Sequence, residues 1–292
     1  MEFRPFTVEL RTRFRGLTSR SGVLVTDGRG HWGEYSPFAD YDAERATRWW
    51  RAAMEAARGE WPDPLRDSVA VNSIVPQVAP EEARDYATAN GARTAKVKVA
   101  GGDTLAQDAA RVEAVADALG PGGAIRIDVN GGWDVDEAVR AIRELDAAAR
   151  AGGLDGLEYV EQPCASVDEL ADLRSRIATR IAADEAVRIP GTPDAVLAAE
   201  AADVIILKAQ PLGGVRRSLE IAEQVHPLPV VVASAMESSV GLAAGVALAC
   251  ALPDEPLACG LGTGALLATD TVRETLLPSD GRIGLPTLEV TA

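Results

Sequence analysis

Thr94-Ala95-Lys96-Val97-Lys98-Val99 and, thirty residues on, Ala124-Ile125-Arg126-Ile127-Asp128-Val129-Asn130 carry the same alternation of charged and apolar side chains. Side chains on a strand alternate between its two faces. Lys96 and Lys98 therefore share one face, roughly 7 Å apart at the Cα level, and Arg126 and Asp128 share the corresponding face of the next strand. Val97, Val99, Ile127 and Val129 take the other side, which suits packing against helices. Charges gathered on an inner face are tolerable only where they compensate one another.

Six more short apolar runs extend the pattern, at 69–74, 156–161, 180–183, 204–207, 229–232 and 256–259, which makes eight strands with 94–99 and 124–129. Helical sequence fills the gaps. A stripe of Leu105, Ala109, Val112, Ala116 and Leu119 marks a helix over 103–119, stopped by Gly120-Pro121. Asp134 with Glu137, and Ser166 with Glu169, are helix-start signatures. Eight strand–helix units predict a parallel α/β barrel with helices outside. Before it, 6–14, 21–26 and 32–35 read as strands and 41–58 as a helix; after it comes a Gly- and Pro-bearing tail. The expected organisation is an α+β capping domain formed by 1–68 and 271–292 on a (β/α)8 barrel of 69–270.

Barrel enzymes place their chemistry at the C-terminal ends of the strands. Here those ends read Lys98, Asp128, Glu161, Asp184 and Lys208, at intervals of 30, 33, 23 and 24 residues, about one strand–helix unit each. Three carboxylates from consecutive strands repel unless a cation joins them. Oxygen donors without His or Cys favour Mg²⁺, with Mn²⁺ as a substitute. Lys98 and Lys208 would flank that ion. A lysine acts as a base only when its pKa is lowered, and Lys96 and Arg126 are the positive neighbours expected to do this for Lys98. With Lys98 neutral, the three carboxylates, a divalent ion, Lys96, Arg126 and Lys208 leave +2, which a small dianionic substrate would balance. Ser234, at the end of the seventh strand, is a candidate substrate contact. Gly260-Leu261-Gly262-Thr263-Gly264 after the eighth strand allows a ligand to approach the backbone. Glu237 has the position of a helix N-terminal carboxylate.

The net charge of −15 argues against nucleic acid and anionic membranes as partners. Cys164, Cys250 and Cys259 have no metal-type spacing and suit a reduced, cytoplasmic protein. His31 and His226 are the two histidines and lie far apart, which speaks against a histidine metal centre or a Ser-His-Asp site. No run approaches membrane-spanning length. The oligomeric state is not fixed by the sequence, and a monomer is the working expectation.

On these residues the chain resembles the enolase superfamily, in its muconate-lactonizing-like branch. That branch carries a Lys-x-Lys on strand two, metal carboxylates on strands three to five and a lysine on strand six, matched here by Lys96/Lys98, Asp128, Glu161, Asp184 and Lys208. Trp32-Gly33-Glu34-Tyr35-Ser36-Pro37 is similar to the signature of the capping domain. Arg126, Ser234-Ala235-Met236-Glu237-Ser238-Ser239-Val240-Gly241 and the glycine-rich loop most resemble the o-succinylbenzoate synthases, in their short actinobacterial form. The resemblance implies an enolase-like, modified (β/α)8 barrel. It implies a Mg²⁺-dependent dehydration of a small anionic dicarboxylate substrate in menaquinone synthesis, with Lys98 removing the α-proton, Lys208 assisting, and Ser234, Met236, Gly260 and Leu261 contacting the substrate. The alternatives are an N-acylamino acid racemase, which needs the same metal and lysines, and a non-catalytic barrel. Gly260-Leu261-Gly262 lacks the Asp-x-Asp of dipeptide epimerases. Ser234-Ala235-Met236 offers no histidine base of the mandelate-racemase kind.

Overall fold

The computed structural model describes residues 1–14, 16–188 and 192–291, so Ala292, the last residue of the expected cap, lies outside it. The chain opens with three antiparallel strands, β1 (Glu2–Phe14), β2 (Leu17–Thr26) and β3 (Trp32–Tyr35). Helix α1 (Ala43–Ala57) packs on them, capped by Asp42, whose carboxylate accepts from Arg45 N at 2.8 Å. Strand and helix approach so closely that a Cβ on Gly33 would lie 1.9 Å from the Ala53 carbonyl oxygen. Only glycine fits there.

In the second unit, from Ser68 on, strands and helices largely alternate. Its strands are β4 (Ser68–Ala70), β5 (Asn72–Val75), β6 (Thr94–Lys98), β7 (Ala124–Asp128), β8 (Leu157–Glu161), β9 (Ile181–Ala183), β10 (Val204–Leu207), β11 (Val230–Val232) and β12 (Arg282–Gly284). Its helices are α2 (Pro80–Thr88), α3 (Leu105–Leu119), α4 (Val135–Ala151), α5 (Val167–Arg176), α6 (Thr192–Ala198), α7 (Ala209–Leu212), α8 (Val215–Val225) and α9 (Ser239–Ala251). Strands β5 to β11 form one parallel sheet in chain order. Ile125, Ile127, Val97, Val99 and Val160 belong to the cluster between sheet and helices. Tyr159, Ala182, Val204, Ile206 and Val231 fill the interior. The faces are those that the alternation predicts.

Two elements differ from expectation. The run 69–74 is two strands, because β4 pairs antiparallel with β12 before β5 joins the barrel. The run 256–259 forms no strand among the described residues. Cys259 and Gly260 instead make single parallel bridges to Val71 and Ala233, which close the ring between its first and last strands. Pro256 has no N–H to give to a ladder, which shortens what can form there. The helix expected over 103–119 begins at Leu105, because Thr104 with Gln107 makes the capping box. Asp134 and Ser166 cap α4 and α5 as their spacing predicts.

Helix α9 is buried on every side. The reason is its place: Val240 packs with Phe6, Val8 and Leu24 of the opening sheet, whereas Leu242, Val246 and Leu248 join the barrel core. Leu267, Val272, Leu288 and Val290 of the tail pack with that same sheet cluster. Among the described residues no helix is long and apolar enough to cross a membrane.

Glu34 on β3 ties the two units together. Its carboxylate accepts from Ser36 Oγ at 2.6 Å, Ser238 Oγ at 2.5 Å and the backbone N–H of Gly241 at 3.0 Å, in the first turn of α9. Asp270 takes the Ser239 N–H at 3.0 Å. Donors that a helix start leaves unpaired are thus satisfied from outside the helix. Burial, with a smaller push from Glu237, outweighs these hydrogen bonds and raises Glu34 to about 7. The folded protein therefore holds a proton on Glu34 between about pH 4.5 and 7 that the unfolded chain releases. That contribution is complete below the unfolded pKa and is lost as pH rises through the folded one, at a cost on the order of 3 kcal/mol. Denaturant titrations across pH are expected to show a flatter stability curve for Glu34→Gln than for wild type in this window. Parallel curves would dissociate Glu34 from the effect.

Candidate active site

The C-terminal ends of β6, β7 and β8 are in register. Lys98 pairs with Asp128 and Asp128 with Glu161, while one rung deeper Lys96 pairs with Arg126 and Arg126 with Tyr159. The long Lys96 chain climbs a rung. Its Nζ donates to Asp128 Oδ2 at 3.0 Å and to Glu161 Oε1 and Oε2 at 2.9 and 3.1 Å. Lys98 Nζ stands 3.7 Å from Asp128 Oδ1. Across the mouth, Lys208 Nζ donates to Asp184 Oδ2 at 2.7 Å. Asp128, Glu161 and Asp184 are thus brought to one place with Lys96, Lys98 and Lys208.

Burial alone would drive Lys96 toward its neutral form, but Asp128 and Glu161 together hold it well above the usual lysine range. It is a fixed positive charge beside Lys98. Burial also opposes the Asp128 and Asp184 carboxylates. Lys96 and Lys98 outweigh it at Asp128, and Arg188 and Lys208 outweigh it at Asp184, so both lie below the ordinary range. Glu161 goes the other way: burial, only partly relieved by Lys96, and the charges of Asp128 and Asp184 push it up to about 7.

Several participants had no clear signal in the sequence. Arg188 donates to Asp184 Oδ1 at 3.0 Å, to Glu185 Oε1 at 2.7 Å and to the Tyr41 hydroxyl at 3.0 Å, which links the opening unit to Asp184. Gln162, fully buried, accepts from the backbone N–H groups of Asp184 and Ala186 at 3.0 and 3.2 Å and so fixes the end of β9. Behind Lys98, the buried pair Asp108–Arg111 on α3 grips the same stretch of backbone. Asp108 accepts from Ala100 N at 3.0 Å and Arg111 donates to the Lys98 carbonyl at 3.3 Å, holding Ala100 at φ 61°. Arg188 lies four residues after Asp184 and three after Glu185, a helical ion-pair spacing that a search around that carboxylate would have found.

Other expected residues are placed differently. Arg126 is fully buried at the lower rung. Its Nε donates to Glu158 at 2.5 Å, its Nη1 to the Ala258 carbonyl at 2.5 Å, and its guanidinium stacks 4.6 Å over Tyr159. It pairs away from the mouth, so Arg188 replaces it in the local charge balance and Glu185 adds one carboxylate. With a divalent ion bound and Lys98 neutral, the balance falls from the anticipated +2 to +1. Leu261 points outward into the core against α9, where its side chain would meet a Cβ on Gly245 at 2.7 Å. Its side chain is no substrate contact. Gly260 lies against Ala233, which a Cβ would approach to 3.2 Å, and both its backbone polar groups are bonded, to Val232 and Ser234. Met236 is buried at φ 64°, its carbonyl accepting from Arg20 Nε at 3.2 Å. Ser234 Oγ, partly exposed, accepts from Met236 N at 2.8 Å and Thr263 Oγ1 at 2.7 Å, which leaves its own O–H to donate. Glu237 accepts from Ala235 N at 2.8 Å and shapes the loop before α9.

The donor set fits a hard divalent cation. Glu161 and Asp184 are nearly inaccessible carboxylates, and Asp128 Oδ1 is buried with no hydrogen-bond partner. In the present arrangement Lys96 and Lys208 neutralise these groups, and among the described residues no three acidic, His or Cys side chains are gathered as an ion cage. A cation joining the three would relieve the repulsion that raises Glu161.

A capped parallel barrel with lysines facing carboxylates across its mouth defines a class. The profile of enolase C-terminal domain-like proteins matches residues 79–289, and that of enolase N-terminal domain-like proteins matches 6–57. The chain belongs to the enolase superfamily, whose members use a divalent metal. Curated relatives narrow this. The o-succinylbenzoate synthase of Thermobifida fusca is 56% identical over 99% of this chain and 89% of its own length. That of Mycolicibacterium smegmatis is 48% identical over 93% and 82%. Within the superfamily, the family is that of the o-succinylbenzoate synthases. Among solved structures, the L-Ala-D/L-Glu epimerase of Bacillus subtilis superposes with TM-score 0.81 at 23% identity, covering 99% of this chain and 96% of that one. The muconate lactonizing enzyme of Pseudomonas fluorescens does so with 0.82 at 18%, with the same coverage. These two likenesses concern the fold alone.

Proposed function

We propose that the strand-end cluster dehydrates 2-succinyl-6-hydroxy-2,4-cyclohexadiene-1-carboxylate to o-succinylbenzoate, a step of menaquinone synthesis, in the cytoplasm. Lys98 is the base, and Asp128, Glu161 and Asp184 are the ligands of one Mg²⁺. The observation that supports this reading is that Lys98 stands 3.7 Å from Asp128 and Lys208 2.7 Å from Asp184 at the strand ends of one parallel sheet, in a chain 56% identical to an o-succinylbenzoate synthase. Bound to the three carboxylates, the ion supplies Lewis acidity toward the substrate carboxylate.

Lys98 Nζ takes the proton next to the ring carboxylate. Lys96, kept protonated by Asp128 and Glu161, is the fixed positive charge beside it. Lys208 Nζ, held by Asp184, meets negative charge that develops on the carboxylate oxygens from the far side. Protonated Lys98 then returns its proton to the departing hydroxyl, which leaves as water. Ser234 donates to a substrate oxygen, and Arg188 holds Asp184 in place.

Purified protein is expected to bleach the cyclohexadiene absorbance rapidly with Mg²⁺ present and not after chelation. Bound Mg²⁺ without bleaching would move the assignment to proton exchange on N-acylamino acids, for which lysines on opposite faces are also suited.

A further inference from the structure

Of the 29 Lys and Arg residues in the chain, three are lysines: Lys96, Lys98 and Lys208. Every side-chain amine of the protein is therefore in its active site, and the remaining Lys and Arg positions are all arginine. The two kinds of group differ in one chemical respect that matters here. A lysine amine can be acylated, whereas a guanidinium is effectively always protonated. The three thiols, the other soft nucleophiles, are buried.

The lysines are not equally available. Lys96 is 15% exposed and bonded to three carboxylate oxygens at 2.9–3.1 Å. Lys208 is 13% exposed and donates to Asp184 at 2.7 Å. Lys98 is 34% exposed, and its one ion-pair contact is at 3.7 Å. We propose that Lys98 is a modification site for activated acyl donors, acyl thioesters or acyl phosphates, and the single accessible one on the folded chain apart from the α-amino group. In the reaction the Lys98 nitrogen attacks the acyl carbon, an N–C bond forms, the C–S or C–O bond breaks, and the amine proton leaves with the thiol or phosphate. The amide that remains carries no charge and no basic lone pair, so one acyl group switches one active site off. This last consequence rests on Lys98 being the base.

The test treats the full chain with acetyl phosphate and, separately, with a succinyl thioester. Intact mass counts acyl groups, cleavage at arginine maps them, and turnover is followed on the same samples. The expected result is that the first side-chain acyl group from either donor is on Lys98 and that activity falls one-to-one with Lys98 occupancy. In Lys98→Arg, side-chain labelling is expected to slow at least tenfold while the α-amino group still reacts. Labelling of Lys96 or Lys208 ahead of Lys98, or of the α-amino group alone, would overturn the modification site. Full Lys98 occupancy with turnover retained would leave the site standing but overturn the switch, and with it the role of Lys98 as base. If only one donor labels Lys98, the broad donor class is overturned.

Discussion

Lys98→Ala is expected to lower kcat by roughly 10²–10⁴-fold, the range for loss of a positioned base, while fold and metal affinity persist. The structure separates these outcomes. Lys98 is a third exposed and, among the described residues, its side-chain contact is the 3.7 Å ion pair with Asp128, so its removal is expected to change stability by less than about 1 kcal/mol. Asp128 keeps its bond to Lys96 at 3.0 Å, so the carboxylates stay where they are. The measurements are kcat under saturating substrate, a thermal melt, and calorimetric titration of Mg²⁺. A kcat within tenfold of wild type would remove Lys98 as the base.

Asp184→Asn is expected to act on two quantities at once. Asp184 is fully buried between Lys208 and Arg188, and both cations depend on it. Neutralising it leaves Lys208 without its carboxylate and Arg188 with Glu185 alone, and loss of one partner of a buried pair costs about 3–5 kcal/mol. The same change removes one of three proposed ligands. Loss of outer partners alone costs about 10–100-fold in metal affinity, so loss of a ligand should cost at least that. Arg188→Lys separates the two effects, because it retains a charge but not the paired contacts to Asp184 and Glu185. Unchanged Mg²⁺ affinity in Asp184→Asn would count against the ligand set, and unchanged stability would count against the pairing.

The alternation in 94–99 and 124–130 was enough to assign faces, and the spacing of Lys98, Asp128, Glu161, Asp184 and Lys208 was enough to place them at strand ends. Depth was not legible. Arg126 faces inward as its phase requires, but a period of two says nothing about which level a long side chain serves. Its partner Glu158 turns toward it where the register between β7 and β8 slips, between Ile125 and Arg126, and no periodicity announces a slip. The outward turn of the Leu261 side chain is of the same kind: beyond the last bridge of the ring no ladder fixes which way a side chain points. The Asp108–Arg111 pair was invisible as a site element because its relevance comes from tertiary contact with the backbone behind Lys98, whereas Arg188 was within reach of the sequence, four residues after Asp184. The Glu34 signature was visible as a motif, but its attachment to α9, some two hundred residues later, belongs to the assembled molecule.

The closure of the ring by Cys259 and Gly260 has a mechanical meaning. Where other neighbouring strands share longer ladders, the first and last are stitched through a few hydrogen bonds, among them Cys259 N to Ala70 O at 2.7 Å, Asn72 N to Cys259 O at 2.9 Å and Gly260 N to Val232 O at 2.8 Å. The hoop of strands is fastened at one narrow clasp. That clasp carries Gly260 and faces Ser234, opposite the rigid lysine–carboxylate rungs of β6 to β8. The wall of the mouth that carries Ser234 is thus joined to the first strand through single bridges, whereas the wall that carries Lys98, Asp128 and Glu161 is a continuous ladder.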